Sequence, residues 1–543
     1  MTLQSPDNAP TCRSITVGGL PLAYKLLVAT TIAAISGTLF FRLPSFPGLH
    51  GDEAWVGLRA LEQHAKGFFT IRGMNAYTGS LFPQIVTLAS SLLSPGVLSL
   101  RLPGVLLNWL ALVLMAAALW KRGSAALSFL LLMGSSLLFL FYSRVAWEVN
   151  ALQNFLLSLI ILSLTILLKS ERPPLWTVFL LFLAFSLGTW NHEIFVAATL
   201  SFAAAATLVA LKWPDEDSAR LLSLGYFNLV LQIVLLGKRF VADGPFVLHA
   251  LPALIFGCAL VALSSLAYVR AEKYLLPAIS GMIRSPPVVH AGNGVVALAI
   301  AGSLLISVTS ASAFFGTLSG IIMLKRVVSY SPGFIEVAGL HARMALLVAA
   351  FLAIAARQMR NVGVLRRDQL LNISVMWTIA FFPALMLATR SAADRYYIIP
   401  QFLFFCSIAL AVDHVPDRWR SASQAFFICG FIYAQAMAAR EVLRDDNRPP
   451  FETFEYGSYA DTSRHFLRLD RLSDYLQRQD VCHVESSSFF IAQPAQFLMA
   501  THPTCGNPHP ENLATVGIEY CSGCGGPVAW FELTPGRVTL KTP

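Results

Sequence analysis

Residues 26–41 read Leu-Leu-Val-Ala-Thr-Thr-Ile-Ala-Ala-Ile-Ser-Gly-Thr-Leu-Phe-Phe, closed by Arg42-Leu43-Pro44 and followed shortly by His50-Gly51-Asp52-Glu53-Ala54. An uncharged apolar run of this kind, lengthened by the residues before it, makes a helix that can cross a bilayer. It ends without a small-residue cleavage site, so it is expected to be a retained span and not a removed signal. Two adjacent carboxylates just beyond it lie at the membrane surface, where ionised groups are costly unless they have a task.

The rest of the chain agrees with a membrane setting. Of 543 residues, 56% are hydrophobic and only 13% charged, and the mean hydropathy is +0.62. A water-soluble domain carries about 25% charged residues, so the missing polar surface must be replaced by lipid. The net charge of +9 would otherwise raise nucleic acid as a partner. No basic stretch interleaved with aromatics supports that, and Lys and Arg in short cytoplasmic loops explain the excess.

Apolar runs place candidate spans at 23–41, 100–119, 124–142, 151–168, 175–190, 193–211, 220–237, 246–268, 294–313, 341–356, 371–389, 397–413 and 422–439. The fold class expected is an all-α polytopic membrane protein of about thirteen transmembrane helices. The stretch Leu81–Leu93 is too short to span and contains Pro83, so it is expected at the interface. With the N-terminal tail 1–22 in the cytoplasm, the inner loops carry Lys121, Arg122, Lys169, Arg172, Lys212, Arg220, Arg270, Lys273, Arg284, Arg357, Arg418 and Arg420. Outer basic residues more often have an acid nearby, as Arg144 has Glu148. The transmembrane module then runs over 23–440, with an outer loop at 42–99 and another outer segment, 314–340, holding Lys325 and Arg326.

After about residue 440 the composition turns polar and rich in Pro, Gly and His, which predicts a small soluble α+β domain over 441–543, docked on the outer face. A helix is expected at 460–478, then short strands. Of eight cysteines, Cys482, Cys505, Cys521 and Cys524 lie in this tail. Two disulfides of undetermined pairing are expected there. The rival reading is a metal site built on Cys521-x-x-Cys524 with His483 and His509.

Glu53–Lys66 has apolar residues at Ala54, Leu58 and Leu61, an amphipathic helix that Asp52 can cap. A span, an acidic pair and an amphipathic helix in a long first outer loop resemble the GT-C glycosyltransferases. The likeness is to the branch of protein O-mannosyltransferases and aminoarabinose lipid A transferases. Tyr77-Thr78-Gly79-Ser80-Leu81-Phe82 is similar to a Tyr-x-Gly-Pro-Leu-like segment of that group, with Ser80 in place of the proline. Tyr142–Asn150 resembles its short outward Ser-Arg-then-acid segment, and Asp394-Arg395-Tyr396-Tyr397-Ile398-Ile399-Pro400 its Arg-Tyr-x-x-Pro segment. The resemblance covers roughly 20–440 and leaves the tail aside.

The resemblance implies a glycosyltransferase that moves a sugar from a polyprenyl-phosphate donor to an acceptor hydroxyl on the outer face, with a carboxylate as base. The matching residue is Asp52, with Glu53 beside it. A phosphate leaving group calls for cations, and the candidates are Arg395, Arg144, Arg72, Lys325 and Arg326. Tyr77, Glu148, His192, Glu193, Tyr396 and Tyr397 are candidates for substrate contact. For each there is a plainer role: interfacial anchor, loop charge or helix-turn cap. No cofactor is expected, and Asp52 with Glu53 is too small a ligand set to argue for a divalent metal. Partners expected are the lipid-linked donor, a lipid, polysaccharide or protein acceptor, and membrane lipids. The setting expected is a bacterial inner membrane with the site facing the periplasm. The alternative is a transporter or lipid flippase, which would place ionisable groups at mid-bilayer.

Overall fold

The computed structural model describes residues 22–66, 78–241, 251–288, 368–388, 398–443, 483–485, 489–501, 513–521, 526–534 and 540–541, with isolated positions such as Arg357 and Tyr396. The bundle is built from α1 (Leu22–Phe40), α2 (Gly51–Lys66), α3 (Leu81–Leu92), α4 (Val97–Ala118), α5 (Gly123–Gly134), α6 (Leu137–Tyr142), α7 (Glu148–Leu167), α8 (Leu175–Asn191), α9 (Ile194–Lys212), α10 (Glu216–Val241) and α11 (Leu251–Ile283). It continues with α12 (Gln369–Ala388), α13 (Ile398–Val412) and α14 (Asp417–Leu443).

Among the described residues, seven helices are long and apolar enough to cross a membrane. The chain is a multi-pass membrane protein. Its outer surface supports this directly: α10 exposes Tyr226, Val230, Ile233 and Val234 along one helical stripe, and α11 exposes Ile255, Phe256 and Leu263. Apolar faces of that kind need hydrocarbon around them. α7 and α9 lie inside instead, with α7 packed on α4 and α8 and α9 packed on α10 and α12.

Among the described residues the helices follow the apolar runs with two differences. Residues 124–142 form two helices, α5 and α6, broken at Ser135-Ser136. The freed backbone groups find partners: Ser136 Oγ accepts from Phe139 N at 3.1 Å, and Gln435 Nε2 donates to Gly134 O at 2.7 Å. Gln401 Nε2 holds Ser136 Oγ at 2.6 Å. A break inside a membrane is tolerated only where it is satisfied like this, and hydropathy cannot register it because both sides are apolar. Second, α11 runs on to Ile283, so Arg270 and Lys273 lie on its continuation and not in a loop. The expected spans 294–313 and 341–356 fall almost wholly outside the described residues.

Polar groups tie the helices together at the end that holds Arg122. Arg122 grips Asp368, ahead of α12, with both Nη atoms, and His414, after α13, meets the same carboxylate at 2.7 Å. Burial opposes ionisation of Asp368, but His414 and Arg122 outweigh it and hold its carboxyl well below the usual carboxylate range. Arg220 pairs with Glu272 at 2.8 Å and donates to the carbonyls of Leu167 and Ser170, closing the C-terminal end of α7.

Beyond the bundle, β1 (His483–Glu485), α15 (Phe489–Ala500), β2 (Leu513–Cys521), β3 (Gly526–Thr534) and β4 (Leu540–Lys541) make a four-stranded sheet of order β1-β2-β3-β4. β1 and β2 are parallel across α15, and the remaining pairs are antiparallel. The helix expected at 460–478 and the side chains of Cys482, Cys505, Cys521 and Cys524 lie outside the described residues. α15 packs on α2, where Phe497 meets Gly57. A Cβ on Gly57 would lie 2.4 Å from the Phe497 ring, so only glycine admits this approach. Phe497 is 2% exposed, and Phe497→Ala should weaken the contact by roughly 3–5 kcal/mol. Hydrogen exchange of the α15 amides should then accelerate while that of α7 stays unchanged.

Candidate functional site

The loop from α1 to α2 carries Asp52 and Glu53 in the first turn of α2. Two arginines from later in the chain give it its shape. Arg101, near the start of α4, forms a bidentate pair with Glu53: Nε to Oε1 at 2.7 Å and Nη2 to Oε2 at 2.8 Å. Its remaining donors go to the carbonyls of Leu43, Pro47 and Gly48. Both side chains are 0% exposed. Glu53 also accepts from Ala146 N at 2.9 Å and His50 N at 3.3 Å.

Arg144 lies in the turn between α6 and α7. It donates to the carbonyls of Thr38, Leu39, Phe41 and Phe46. Thr38 and Leu39 lie in the last turn of α1, where carbonyls have no helical partner and a cation is favoured. Burial and the guanidiniums of Arg101 and Arg42 disfavour the charge of Arg144; this set of carbonyls holds it. Arg144 was expected on a donor phosphate, but its N–H groups are committed to backbone. Glu53 was expected beside Asp52 as a second catalytic carboxylate, but both its oxygens are bound inside the protein. Arg101 itself was missed, because one arginine at the head of an apolar run reads as part of a span.

Asp52 is placed differently. Its side chain is 21% exposed. Its backbone N donates to His50 Nδ1 at 3.0 Å. An Nδ1 that accepts carries no proton, so its 4.0 Å separation from Asp52 Oδ2 is a contact between neighbours and not an ion pair. His50 packs edge-on to Trp147, with ring centroids 4.5 Å apart. The buried Glu53–Arg101 pair thus fixes the first turn of α2, and Asp52 is the carboxylate of that turn with access to solvent.

A second group of candidates meets at the same end of the bundle. Thr78 bridges His192, and Gly79 N donates to Asn191 O at 2.9 Å. A Cβ on Gly79 would lie 1.6 Å from the carbonyl oxygen of Trp190, which gives a physical reason for glycine in this segment. Asn191 Nδ2 donates to the carbonyl of Glu148 at 2.6 Å, joining α8 to the start of α7. His192 Nδ1 accepts from Ile194 N at 3.0 Å and so satisfies the first amide of α9. The rings of His192 and Tyr396 lie 5.8 Å apart, and both residues are buried. Glu193 is exposed and Glu148 half-buried. Arg72, Tyr77, Lys325, Arg326, Arg395 and Tyr397 lie outside the described residues.

No protein-family model matches the chain, and no curated protein matches it. Among solved structures, the chain is similar to the archaeal oligosaccharyltransferase AglB from Archaeoglobus fulgidus, in complex with an inhibitory peptide and a dolichol-phosphate. That likeness has a TM-score of 0.47 and 14% identity, over 90% of this chain and 61% of that one. The chain thus spans about three fifths of that protein's length. It is also similar to ArnT from Cupriavidus metallidurans bound to undecaprenyl phosphate, with a TM-score of 0.42 and 14% identity over 93% of this chain and 97% of the other.

Two substitutions probe the geometry. Glu53→Gln leaves the Arg101 charge buried without its partner, which costs about 3–5 kcal/mol; the melting temperature in detergent should fall accordingly. Gly79→Ala should detach the 78–80 segment from the α8–α9 turn, read as faster exchange of the Gly79 amide.

Proposed function

We propose that the chain is a membrane glycosyltransferase that moves a sugar from a polyprenyl-phosphate-linked donor to an acceptor hydroxyl, with Asp52 as general base. The observation that carries this is the division of labour in the first turn of α2. Glu53 is spent in a buried ion pair, and that pair holds Asp52 at a partly open position where α4, the 43–48 loop and residue 146 meet the first turn of α2. Such rigidity is what a positioned base needs.

In the proposed step, Asp52 takes the proton of the acceptor hydroxyl as its oxygen bonds to the anomeric carbon. The bond from that carbon to the phosphate oxygen breaks, and polyprenyl phosphate leaves with the electron pair. Negative charge then grows on the leaving phosphate and calls for cations. With Arg144 committed to carbonyls, we assign that role among Arg395, Arg72, Lys325 and Arg326, with Arg395 first. Base, nucleophile and leaving group come from protein and substrates, so the step as written needs no cofactor. The acceptor is a lipid, a polysaccharide or a protein, and the setting proposed is a bacterial inner membrane with Asp52 on the periplasmic side.

The test is transfer by purified protein from synthetic polyprenyl-phosphate sugars. Asp52→Asn should lower turnover by about 10²–10⁴-fold with an unchanged melting temperature. Wild-type-like turnover in that variant rules out the base. Movement of the lipid across proteoliposomes without covalent transfer would favour the transporter reading.

A further inference from the structure

The end of the bundle that holds Asp52 also carries polar side chains sealed from solvent with nothing to bond. On α7, both amide atoms of Asn150 and both of Gln153 have no hydrogen-bond partner, although these residues are 0% and 1% exposed. On the last turn of α8, Thr189 Oγ1, Trp190 Nε1 and Asn191 Oδ1 are in the same condition. Buried groups of this kind are normally paired, and leaving one unpaired costs about as much as losing a hydrogen bond.

Amide groups nearby do find partners within the chain. One turn further along α7, Asn154 Nδ2 donates to Asn108 Oδ1 at 2.8 Å, and Asn108 Nδ2 donates to the carbonyls of Gly104 and Asn150 at 2.9 Å. Ser158 Oγ donates to Ala111 O at 3.0 Å. This seam between α4 and α7 is a structural polar contact. Asn154 Oδ1 is itself left unpaired, but neither amide atom of Asn150 or of Gln153 makes any contact of this kind.

The unpaired atoms lie on two adjoining helix ends. Asn150 and Gln153 are three residues apart and share one face of α7. The last turn of α8 is tied to the first turn of α7 by the bond from Asn191 to the Glu148 carbonyl. Residues 146 and 147, just before α7, bond to Glu53 and pack on His50. The set therefore adjoins the loop that presents Asp52.

We propose that Asn150, Gln153, Thr189, Trp190 and Asn191 form a recognition site for the hydroxyl groups of the transferred sugar. This rests on the glycosyltransferase reading and deepens it. A carboxamide offers donor and acceptor together, as does a hydroxyl, so amides and a Thr hydroxyl match a polyol and not a phosphate. None of the five side chains is charged, which fits an uncharged ligand. Trp190 adds an N–H donor on a flat apolar ring suited to the C–H face of a sugar. A sugar entering the site would pair atoms that are otherwise left without partners, so the cost carried by the empty protein becomes selectivity for the occupied one.

The experiment compares binding of undecaprenyl phosphate with that of a panel of undecaprenyl-phosphate hexoses and pentoses to full-length protein in detergent. The variants are Asn150→Leu and Gln153→Met, which replace the amides with apolar groups of similar size. Unpaired amides lose nothing in the empty protein, so the melting temperature should stay level or rise. The wild type should prefer at least one sugar-bearing lipid by about tenfold or more, and both variants should lose that preference while keeping affinity for the sugar-free lipid. Retained preference in both variants, a fall in melting temperature, or equal loss of both lipids overturns the site. A wild type that binds the sugar-free lipid but prefers no sugar overturns it as well. A wild type that binds neither kind of lipid overturns the donor assignment itself.

Discussion

The buried pair between Glu53 and Arg101 decides where everything at this end of the molecule sits. A carboxylate and a guanidinium without solvent access are tolerated only when their charges and hydrogen-bonding capacity are matched. Here they are: the carboxylate takes both prongs of the guanidinium and two backbone donors, and the guanidinium finishes on three carbonyls. The pair joins α4, the first turn of α2, the 43–48 loop and residue 146. Moving any one of them exposes a charge to a medium that cannot solvate it.

Arginines play a related part elsewhere. Arg144 closes the end of α1 and Arg220 the end of α7, while Arg42 reaches the carbonyl of Val442 near the end of α14. In water the last carbonyls of a helix can be left to solvent. Within a membrane protein they need protein donors, and the guanidinium offers five in a fixed plane. These charges lock helix ends in place, which separates them from residues available for a substrate.

That distinction is where the sequence stopped being legible. Most of the helices, including the short α3 and the amphipathic α2, were readable from hydropathy and periodicity, because each is a local property. The acidic pair was readable as a feature, but not which member faces the bundle. Neighbours on a helix point about 100° apart, so one of two adjacent carboxylates can be buried and the other open, and only packing chooses. Arg144 carried the right motif and a different job, since its acceptors are carbonyls about a hundred residues away that leave no side-chain signature. The break at Ser135-Ser136 was hidden for the same reason: its partners, Gln401 and Gln435, come from α13 and α14. Gln153 drew no notice inside an apolar run, where single amides pass as core, and Asn150 was read only as the end of the 142–150 segment.

The dependence of the first loop on Arg101 and Arg144 also sets an order of assembly. The chain is synthesised from its N-terminus, so α1 and the Asp52 segment emerge before either arginine exists to hold them. Glu53 must wait in contact with water until α4 arrives, and the frayed end of α1 stays open until the turn before α7 has followed. The surface around Asp52 therefore closes late, by the return of distant cations onto an early loop, and insertion of the first span alone cannot create it.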